Sequence, residues 1–188
     1  MAATSTMLEL GTPAPDFTLP EVTDQSSVSR SDLEGEVLMV MFLCRHCPYV
    51  VHVQDEVARL TREYLDGGRV AFVGISSNDP STHPDDGPQG LAQQKREVGF
   101  DFPYLFDESQ EVAKAYGAAC TPDFFVFGPD RRLAYRGRMD ESRPGGDAPT
   151  GADLRAAIDA LLEGRSPSED QWPSMGCSIK WRPGNEPS

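Results

Sequence analysis

The sequence predicts an α/β fold in which helices flank a central mixed sheet. Two unbroken apolar runs, at residues 37–43 and 70–76, have the length and composition of strands buried on both faces. Each run is followed by a segment with helical periodicity. Later in the chain, a turn at residues 128–131 separates two more strand-like segments, which is typical of a hairpin.

The first predicted element is a short hairpin within residues 11–34, in which a polar turn separates residues 17–20 from residues 31–33. The helix after the first core strand includes Pro48 in its first turn, where a missing N–H is tolerated, and it ends at Gly67 and Gly68. The remaining predicted elements are a helix carrying Leu91, Lys95 and Val98, a short strand at 103–106, a helix capped by Ser109 and stopped by Gly117, strands at 123–127 and 132–137, and a helix with Leu154, Ile158, Leu161 and Leu162 that ends at Gly164.

Length and charge restrict the function classes. The 188 residues suit one domain, at residues 8–164, with a C-terminal tail at residues 165–188 that we predict to be irregular and to pack on the domain. With 17 basic and 30 acidic side chains, the formal net charge is -13, which disfavours nucleic acid and anionic membrane surfaces as partners. The N-terminal residues have no basic start and no apolar core, so we expect a cytoplasmic protein.

The most informative motif is the pair Cys44 and Cys47, which lies between the first core strand and its helix. Four cysteines are too few for a disulfide scaffold, and two cysteines separated by two residues indicate redox or metal chemistry. We predict that Cys44 lies at the helix N-terminus, where the helix dipole lowers a thiol pKa and favours the nucleophilic thiolate. Cys47 is then the resolving thiol that releases a mixed disulfide.

Three segments give the chain its resemblance to a known family. They are residues 11–19 (GTPAPDFTL), residues 44–49 (CRHCPY) and the pair Thr121-Pro122 at the start of a strand. Over residues 8–164 the chain resembles the thioredoxin-fold superfamily, and within it the peroxiredoxin-like redoxins with an alkyl hydroperoxide reductase type domain. Residues 176–187 resemble the tail of bacterial redoxin-like proteins that carry a Cys-x-His-Cys-Pro motif.

The resemblance implies specific roles near the cysteine pair. It implies a cis bond between Thr121 and Pro122 that packs beside the dithiol and leaves nearby backbone free to pair with an incoming peptide. His46 between the cysteines resembles the strongly oxidising members of the superfamily. Because a protonated His46 and Arg45 both stabilise a thiolate, we expect a more oxidising dithiol than that of thioredoxin.

Several residues stay open at this point. Leu43 and Leu38 stand where thioredoxin has a Trp and a buried proton-handling Asp, so the sequence does not identify the proton relay. Cys120 is either a third redox thiol near the substrate or a small apolar filler. Cys177 is either an accessory thiol presented by the tail or part of an apolar cap.

The leading functional prediction is thiol-disulfide exchange with protein or small-molecule disulfides, supported by an electron-donating reductant and needing no cofactor. The first alternative is a thiol peroxidase that uses Cys47, although Val40 and Cys44 stand where peroxiredoxins have Pro and Thr. The second alternative is a carrier of Cu(I) or Zn(II) held by Cys44, Cys47 and a histidine, since thiolates select such ions. We predict no resident metal.

Overall fold

The computed structural model describes residues 2–187, and within this range the chain forms ten strands and four α-helices. The strands are β1 (Ala2–Thr4), β2 (Thr18–Pro20), β3 (Ser27–Ser29), β4 (Val37–Phe42), β5 (Val70–Ser76), β6 (Tyr104–Phe106), β7 (Cys120–Thr121), β8 (Asp123–Phe127), β9 (Leu133–Gly137) and β10 (Met175–Ser178). The α-helices are α1 (Pro48–Leu65), α2 (Pro88–Val98), α3 (Glu111–Ala115) and α4 (Ala152–Leu162). Short 3-10 turns lie at Arg30–Asp32 and Pro84–Asp86.

The central sheet has five strands in the order β6, β5, β4, β8, β9 and is mixed, which confirms the predicted fold class. Strands β4, β5 and β6 run parallel, whereas β8 pairs antiparallel with both β4 and β9. All six residues of β4 are buried, as expected for an apolar run covered on both faces.

Alternate residues of β4 point to opposite faces of the sheet and enter two apolar cores. Val37, Met39 and Met41 pack with residues of α1, α2 and α4. Leu38, Val40 and Phe42 pack with residues of α3 and of the N-terminal segment. The sheet is therefore the middle layer between helices.

The hairpin predicted around the turn at residues 128–131 is confirmed, and the N-terminal hairpin forms with its second strand at Ser27–Ser29 instead of residues 31–33, because Arg30–Asp32 form a 3-10 turn. Strands β2 and β3 pair antiparallel ahead of the core, and β8 and β9 pair around the predicted turn, with an irregularity between Val126 and Phe127. None of the helices within residues 2–187 has the length and apolar character needed to cross a membrane.

The N-terminus and the C-terminal tail form a second sheet that the sequence did not predict. Its order is β1, β10, β7, with antiparallel pairing throughout. Gly176 of β10 lies so close to β7 that a Cβ atom there would sit 1.9 Å from the backbone oxygen of Thr121. The tail is thus extended and tightly packed at this point, and the division of the chain at residue 164 stays a prediction.

Candidate active site

The two cysteines lie between the end of β4 and the start of α1, and both are fully buried at 0% exposure. Thr121, in β7, contacts both sulfur atoms. Its hydroxyl lies 3.0 Å from Sγ of Cys44, and its backbone oxygen lies 3.3 Å from Sγ of Cys47. The bond from Thr121 to Pro122 is cis, which confirms that prediction.

The structure corrects the start of the helix. Helix α1 begins at Pro48 with Cys47 as its N-cap residue, and the first helical bond runs from the N–H of Val51 to the oxygen of Cys47 at 2.9 Å. The N–H groups of Arg45 and His46 instead donate to Asp86, at 2.7 and 3.1 Å. This side-chain acceptor holds residues 45 and 46 outside the helix, so Cys47 rather than Cys44 occupies its N-terminus.

Four donors face the sulfur of Cys47. The thiol of Cys44 lowers the pKa of Cys47 the most, followed by the thiol of Cys177 and the backbone N–H groups of Val50 and Cys177. Together these donors outweigh burial, which raises the pKa. They lower the pKa of Cys47 to about 5. The helix dipole acts in the same direction, while the backbone oxygen of Thr121 opposes ionisation. The surroundings of the N-cap sulfur therefore favour the thiolate form of Cys47.

Cys44 has the opposite environment. Its hydrogen bond to Cys47, its burial and the negative charge of Asp86 raise its pKa well above the ordinary range, against the smaller effect of the Thr121 hydroxyl. The expectation that Cys44 is the ionised sulfur is therefore not supported by these surroundings. Cys44 instead carries a proton next to the thiolate.

Asp86 is the central polar residue of the loop beside the dithiol. Its carboxylate is fully buried and accepts hydrogen bonds from Asn78 at 2.8 Å, from the ring nitrogen Nδ1 of His46 and from the two N–H groups of residues 45 and 46. The ring of His83 lies against that of His46, with 4.5 Å between centroids. The sequence analysis did not identify Asp86 as a site residue.

The hydrogen bonds of Arg45 go to the opposite side of the motif. Its guanidinium donates to the oxygen of Gly90 and to Gln93, both at 2.9 Å, and lies 3.3 Å from Glu97. Arg45 and His46 therefore anchor the motif to α2 and to the Asp86 loop. Their expected stabilisation of the thiolate stays a prediction.

Gln94 is a second residue that the sequence analysis missed. It is 2% exposed, donates to the backbone oxygen of Cys44 at 3.2 Å and accepts from the hydroxyl of Tyr104 at 3.2 Å. Its spacing of three residues from Leu91 and four from Val98 places it on the buried face of α2. That periodicity was the signal that a polar side chain points inward here.

Asp123 directly follows the cis proline and is completely buried. Within the described residues neither of its carboxyl oxygens has a hydrogen-bond partner of good geometry. Burial raises its pKa to about 8, only partly offset by the nearby hydroxyls of Ser5 and Ser174 and by backbone N–H groups. The carboxyl group of Asp123 is therefore protonated at neutral pH. In the sequence, Asp123 could have been noticed as a single carboxylate at the start of an apolar strand.

The other two cysteines differ in their surroundings. Cys120 is fully buried, and burial raises its pKa far above the ordinary range, which favours the interpretation as an apolar filler. Cys177 is partly exposed and lies opposite Thr121 in the pairing of β10 with β7. Its side chain packs against the buried cluster that includes Cys47, and burial raises its pKa to about 11. The tail thus brings a third thiol to the dithiol.

A possible ligand set for a metal ion consists of Cys44, His46 and Asp86, whose ligand atoms all lie within 4.8 Å of one another. However, Asp86 already accepts four hydrogen bonds from the protein. Nδ1 of His46 is one of those donors. The polar groups of His46 and Asp86 are thus already used in hydrogen bonds within the protein. This geometry does not favour the alternative function as a carrier of Cu(I) or Zn(II).

The fold and the cysteine pair beside a cis proline define a thioredoxin-like redoxin. The chain belongs to the AhpC/TSA family, whose sequence model matches residues 10–136. Two solved structures resemble the whole chain. An uncharacterized conserved protein from Geobacillus kaustophilus is 49% identical with a TM-score of 0.95 and 98% coverage of both chains. A hypothetical protein from Sinorhizobium meliloti is 43% identical with a TM-score of 0.93, covering 96% of this chain and 99% of that one.

Curated relatives are more distant. A peroxiredoxin-like protein of Synechocystis is 26% identical over 96% of this chain and 89% of its own. Protein FixW of Rhizobium leguminosarum is 26% identical over 70% of this chain, and the thiol:disulfide interchange protein DsbE of Allochromatium vinosum is 29% identical over 61%. The matches span 62% of the length of FixW and 58% of the length of DsbE.

Proposed function

We propose that the protein is a thiol-disulfide oxidoreductase whose dithiol is formed by Cys44 and Cys47. The observation that carries this proposal is that Thr121 contacts the sulfurs of both buried cysteines, with its hydroxyl 3.0 Å from Sγ of Cys44 and its backbone oxygen 3.3 Å from Sγ of Cys47. A low-pKa thiol next to a second thiol is the arrangement that disulfide exchange requires.

The exchange is a pair of sulfur displacements. The Cys47 thiolate attacks one sulfur of a substrate disulfide, forming a mixed disulfide and releasing the other substrate sulfur as a thiolate. Cys44 then attacks the sulfur of Cys47, so that the Cys44–Cys47 disulfide forms and the second substrate sulfur leaves with the proton that Cys44 gives up. The substrate gains two electrons, and the protein dithiol loses them.

These roles reverse those predicted for the two cysteines. The helix N-terminus and the surrounding donors favour attack by Cys47, and the Asp86 carboxylate keeps Cys44 protonated until the mixed disulfide forms. Thr121 supports both steps, since its hydroxyl is within hydrogen-bond distance of Cys44 and its backbone borders Cys47.

The proposed substrates are protein or small-molecule disulfides, and a separate thiol reductant resets the site. The similarity to DsbE, named as a thiol:disulfide interchange protein, supports this substrate class. The physiological reductant and the cytoplasmic location stay predictions from the sequence.

Turnover of a small disulfide in the presence of glutathione tests the proposal. Wild type and Cys120→Ser should be active, because Cys120 lies outside the sulfur pair. Cys47→Ser should lose activity, and Cys44→Ser combined with Cys177→Ser, which leaves no second thiol beside Cys47, should stop as a mixed disulfide on Cys47. Equal turnover by wild type and Cys47→Ser would contradict the proposal.

A thiol peroxidase is the second candidate, favoured by the low pKa of Cys47 at a helix N-terminus followed by Pro48. In that reaction the Cys47 thiolate attacks a peroxide oxygen, water leaves, and the sulfenic acid condenses with a thiol to a disulfide. The hydroxyl of Thr121 lies beside Cys44 instead of Cys47, which favours exchange over peroxide reduction. Rapid peroxide consumption that survives Cys44→Ser but not Cys47→Ser would establish the peroxidase instead.

A further inference from the structure

Strand β10 occupies the edge of the cis-proline strand that the resemblance implied to be free for a peptide. It pairs antiparallel with β7, and Cys177 lies directly opposite Thr121. Paired residues of adjacent strands project their side chains to the same face. Thr121 reaches Cys44 on that face, and Cys177 packs against the buried cluster that contains Cys47. The chain's own tail therefore presents a cysteine where a substrate cysteine would approach.

The position of Cys177 is fixed from both sides. Its strand lies between β7 and β1, with Ala2 opposite Cys177 on the second edge. The neighbouring Gly176 packs against Thr121 more closely than any side chain would allow. This packing fixes the register of β10 and keeps Cys177 opposite Thr121, whose backbone oxygen lies 3.3 Å from Sγ of Cys47.

The three sulfurs differ in their access to solvent. Cys44 and Cys47 are 0% exposed, whereas Cys177 is partly exposed. With the tail docked, a dissolved thiol reaches the buried pair only if β10 moves away. Cys177 is thus placed between the buried dithiol and the solvent.

We propose that Cys177 is a third redox thiol that forms a disulfide with Cys47 and carries the disulfide from the buried pair to the surface. This inference rests on the proposed function, which supplies the Cys44–Cys47 disulfide. The partner of the exposed bond is a small thiol reductant such as glutathione.

The relay step needs no external oxidant. The sulfur of Cys177 attacks Cys47, the bond from Cys47 to Cys177 forms, and the bond from Cys47 to Cys44 breaks. The proton of Cys177 passes to Cys44, whose surroundings favour the protonated form. A reductant thiolate then attacks Cys177, forms a mixed disulfide there and returns Cys47 to the thiolate, and a second reductant thiol releases Cys177.

Trapping experiments on the full chain test this step. Each variant is treated with one equivalent of oxidised glutathione, quenched in acid, and its disulfides are mapped by mass spectrometry. Cys44→Ser should yield the Cys47–Cys177 disulfide. The same variant combined with Cys177→Ser and Ser178→Cys, which moves the thiol to the opposite face of β10, should instead keep glutathione on Cys47. The proposal would be overturned if both variants formed a disulfide between Cys47 and the tail cysteine to the same extent. It would also be overturned if Cys44→Ser retained glutathione on Cys47.

Reduction kinetics separate this inference from the proposed function. The disulfide of oxidised Cys177→Ala should still form between Cys44 and Cys47, and glutathione should reduce it about tenfold more slowly than that of wild type, because only opening of the tail exposes it. Equal reduction rates would contradict the relay alone. Failure of both wild type and Cys177→Ala to form the Cys44–Cys47 disulfide would contradict the proposed function.

Discussion

Thr121 and Cys177 face each other across the antiparallel pairing of β7 with β10. Thr121 lies directly before the cis proline, so this pairing joins the C-terminal tail to the strand that borders both buried sulfurs. The tail thereby covers the dithiol and adds a third thiol to it. Access to the site and the chemistry of the site therefore depend on the same few residues of β10.

The Gly176→Ala substitution should expose the dithiol. A Cβ at this position would sit 1.9 Å from the backbone oxygen of Thr121, so β10 must move away from β7. The clash should destabilise the docked position of the tail by about 1–3 kcal/mol. Because Cys47 is labelled when the tail opens, we expect its alkylation by iodoacetamide to accelerate about tenfold or more. Mass spectrometry of the labelled peptides gives the rate.

Gly67→Ala is the matched control for this substitution, since a Cβ at position 67 meets no atom within 4 Å. Its labelling rate should equal that of wild type. If Gly176→Ala labels no faster than this control, the tail does not limit access to Cys47.

The Thr121→Val substitution should slow the second displacement. Valine removes the hydroxyl 3.0 Å from Cys44 but leaves the backbone pairing with β10 intact. Since the hydroxyl lowers the pKa of Cys44, its loss should make Cys44 harder to ionise and cost about 0.5–1.5 kcal/mol, or roughly threefold to tenfold in rate. Stopped-flow measurement of mixed-disulfide decay reports this step.

Thr121→Ser serves as the control, because serine restores a hydroxyl at the same position. The mixed disulfide of this variant should decay nearly as fast as that of wild type. Identical decay in the valine and serine variants would show that the hydroxyl has no part in the step.

The Asp86→Asn substitution should loosen the motif around the cysteines. An amide cannot accept all four hydrogen bonds that the buried carboxylate accepts, so the free energy of unfolding should fall by about 1–3 kcal/mol. Urea denaturation measures the change. Asp85→Asn changes an exposed neighbouring carboxylate and should leave stability nearly unchanged. Equal stability of the two variants would mean that Asp86 does not support the motif.

Asp123 should make stability fall with rising pH. Its pKa is raised from the ordinary 3.8 to about 8 in the folded state, so between these values the folded chain retains a proton that the unfolded chain has lost. This contribution to stability is fully present below 3.8 and is lost as the pH rises to about 8. Asp123→Asn removes the ionisation and should flatten the decline.

Melting temperatures measured from pH about 5 to about 8 test this expectation, since linkage predicts a growing advantage of the asparagine variant over that interval. A constant difference between wild type and Asp123→Asn across the interval would show that Asp123 does not titrate with folding.

The sequence predicted the central architecture because the apolar runs of β4 and β5 can be buried in few ways. Helical periodicity was sufficient for α1, α2 and α4, and glycine stops marked the ends of α1 and α4. The cis bond at Pro122 and the redoxin fold came from the family resemblance, and both are confirmed. These features depend on local pattern or on motifs.

Features created by contacts between distant segments were missed. Strand β10 has only four residues and no clear apolar alternation, and it becomes a strand through its pairing with β1 and β7. The helix boundary at Cys47 depends on Asp86, which takes the N–H groups of residues 45 and 46 from another loop. Sequence spacing alone placed Cys44 at the helix N-terminus, where the structure has Cys47.

The most direct test of the account is a titration that identifies which sulfur is ionised. The ultraviolet absorbance of the thiolate should be followed against pH in reduced wild type, Cys44→Ser and Cys47→Ser. We predict a midpoint near 5 in wild type, and its loss in Cys47→Ser alone. A low midpoint that persists in Cys47→Ser and disappears in Cys44→Ser, or an ordinary midpoint of about 8.5 in wild type, would contradict the account.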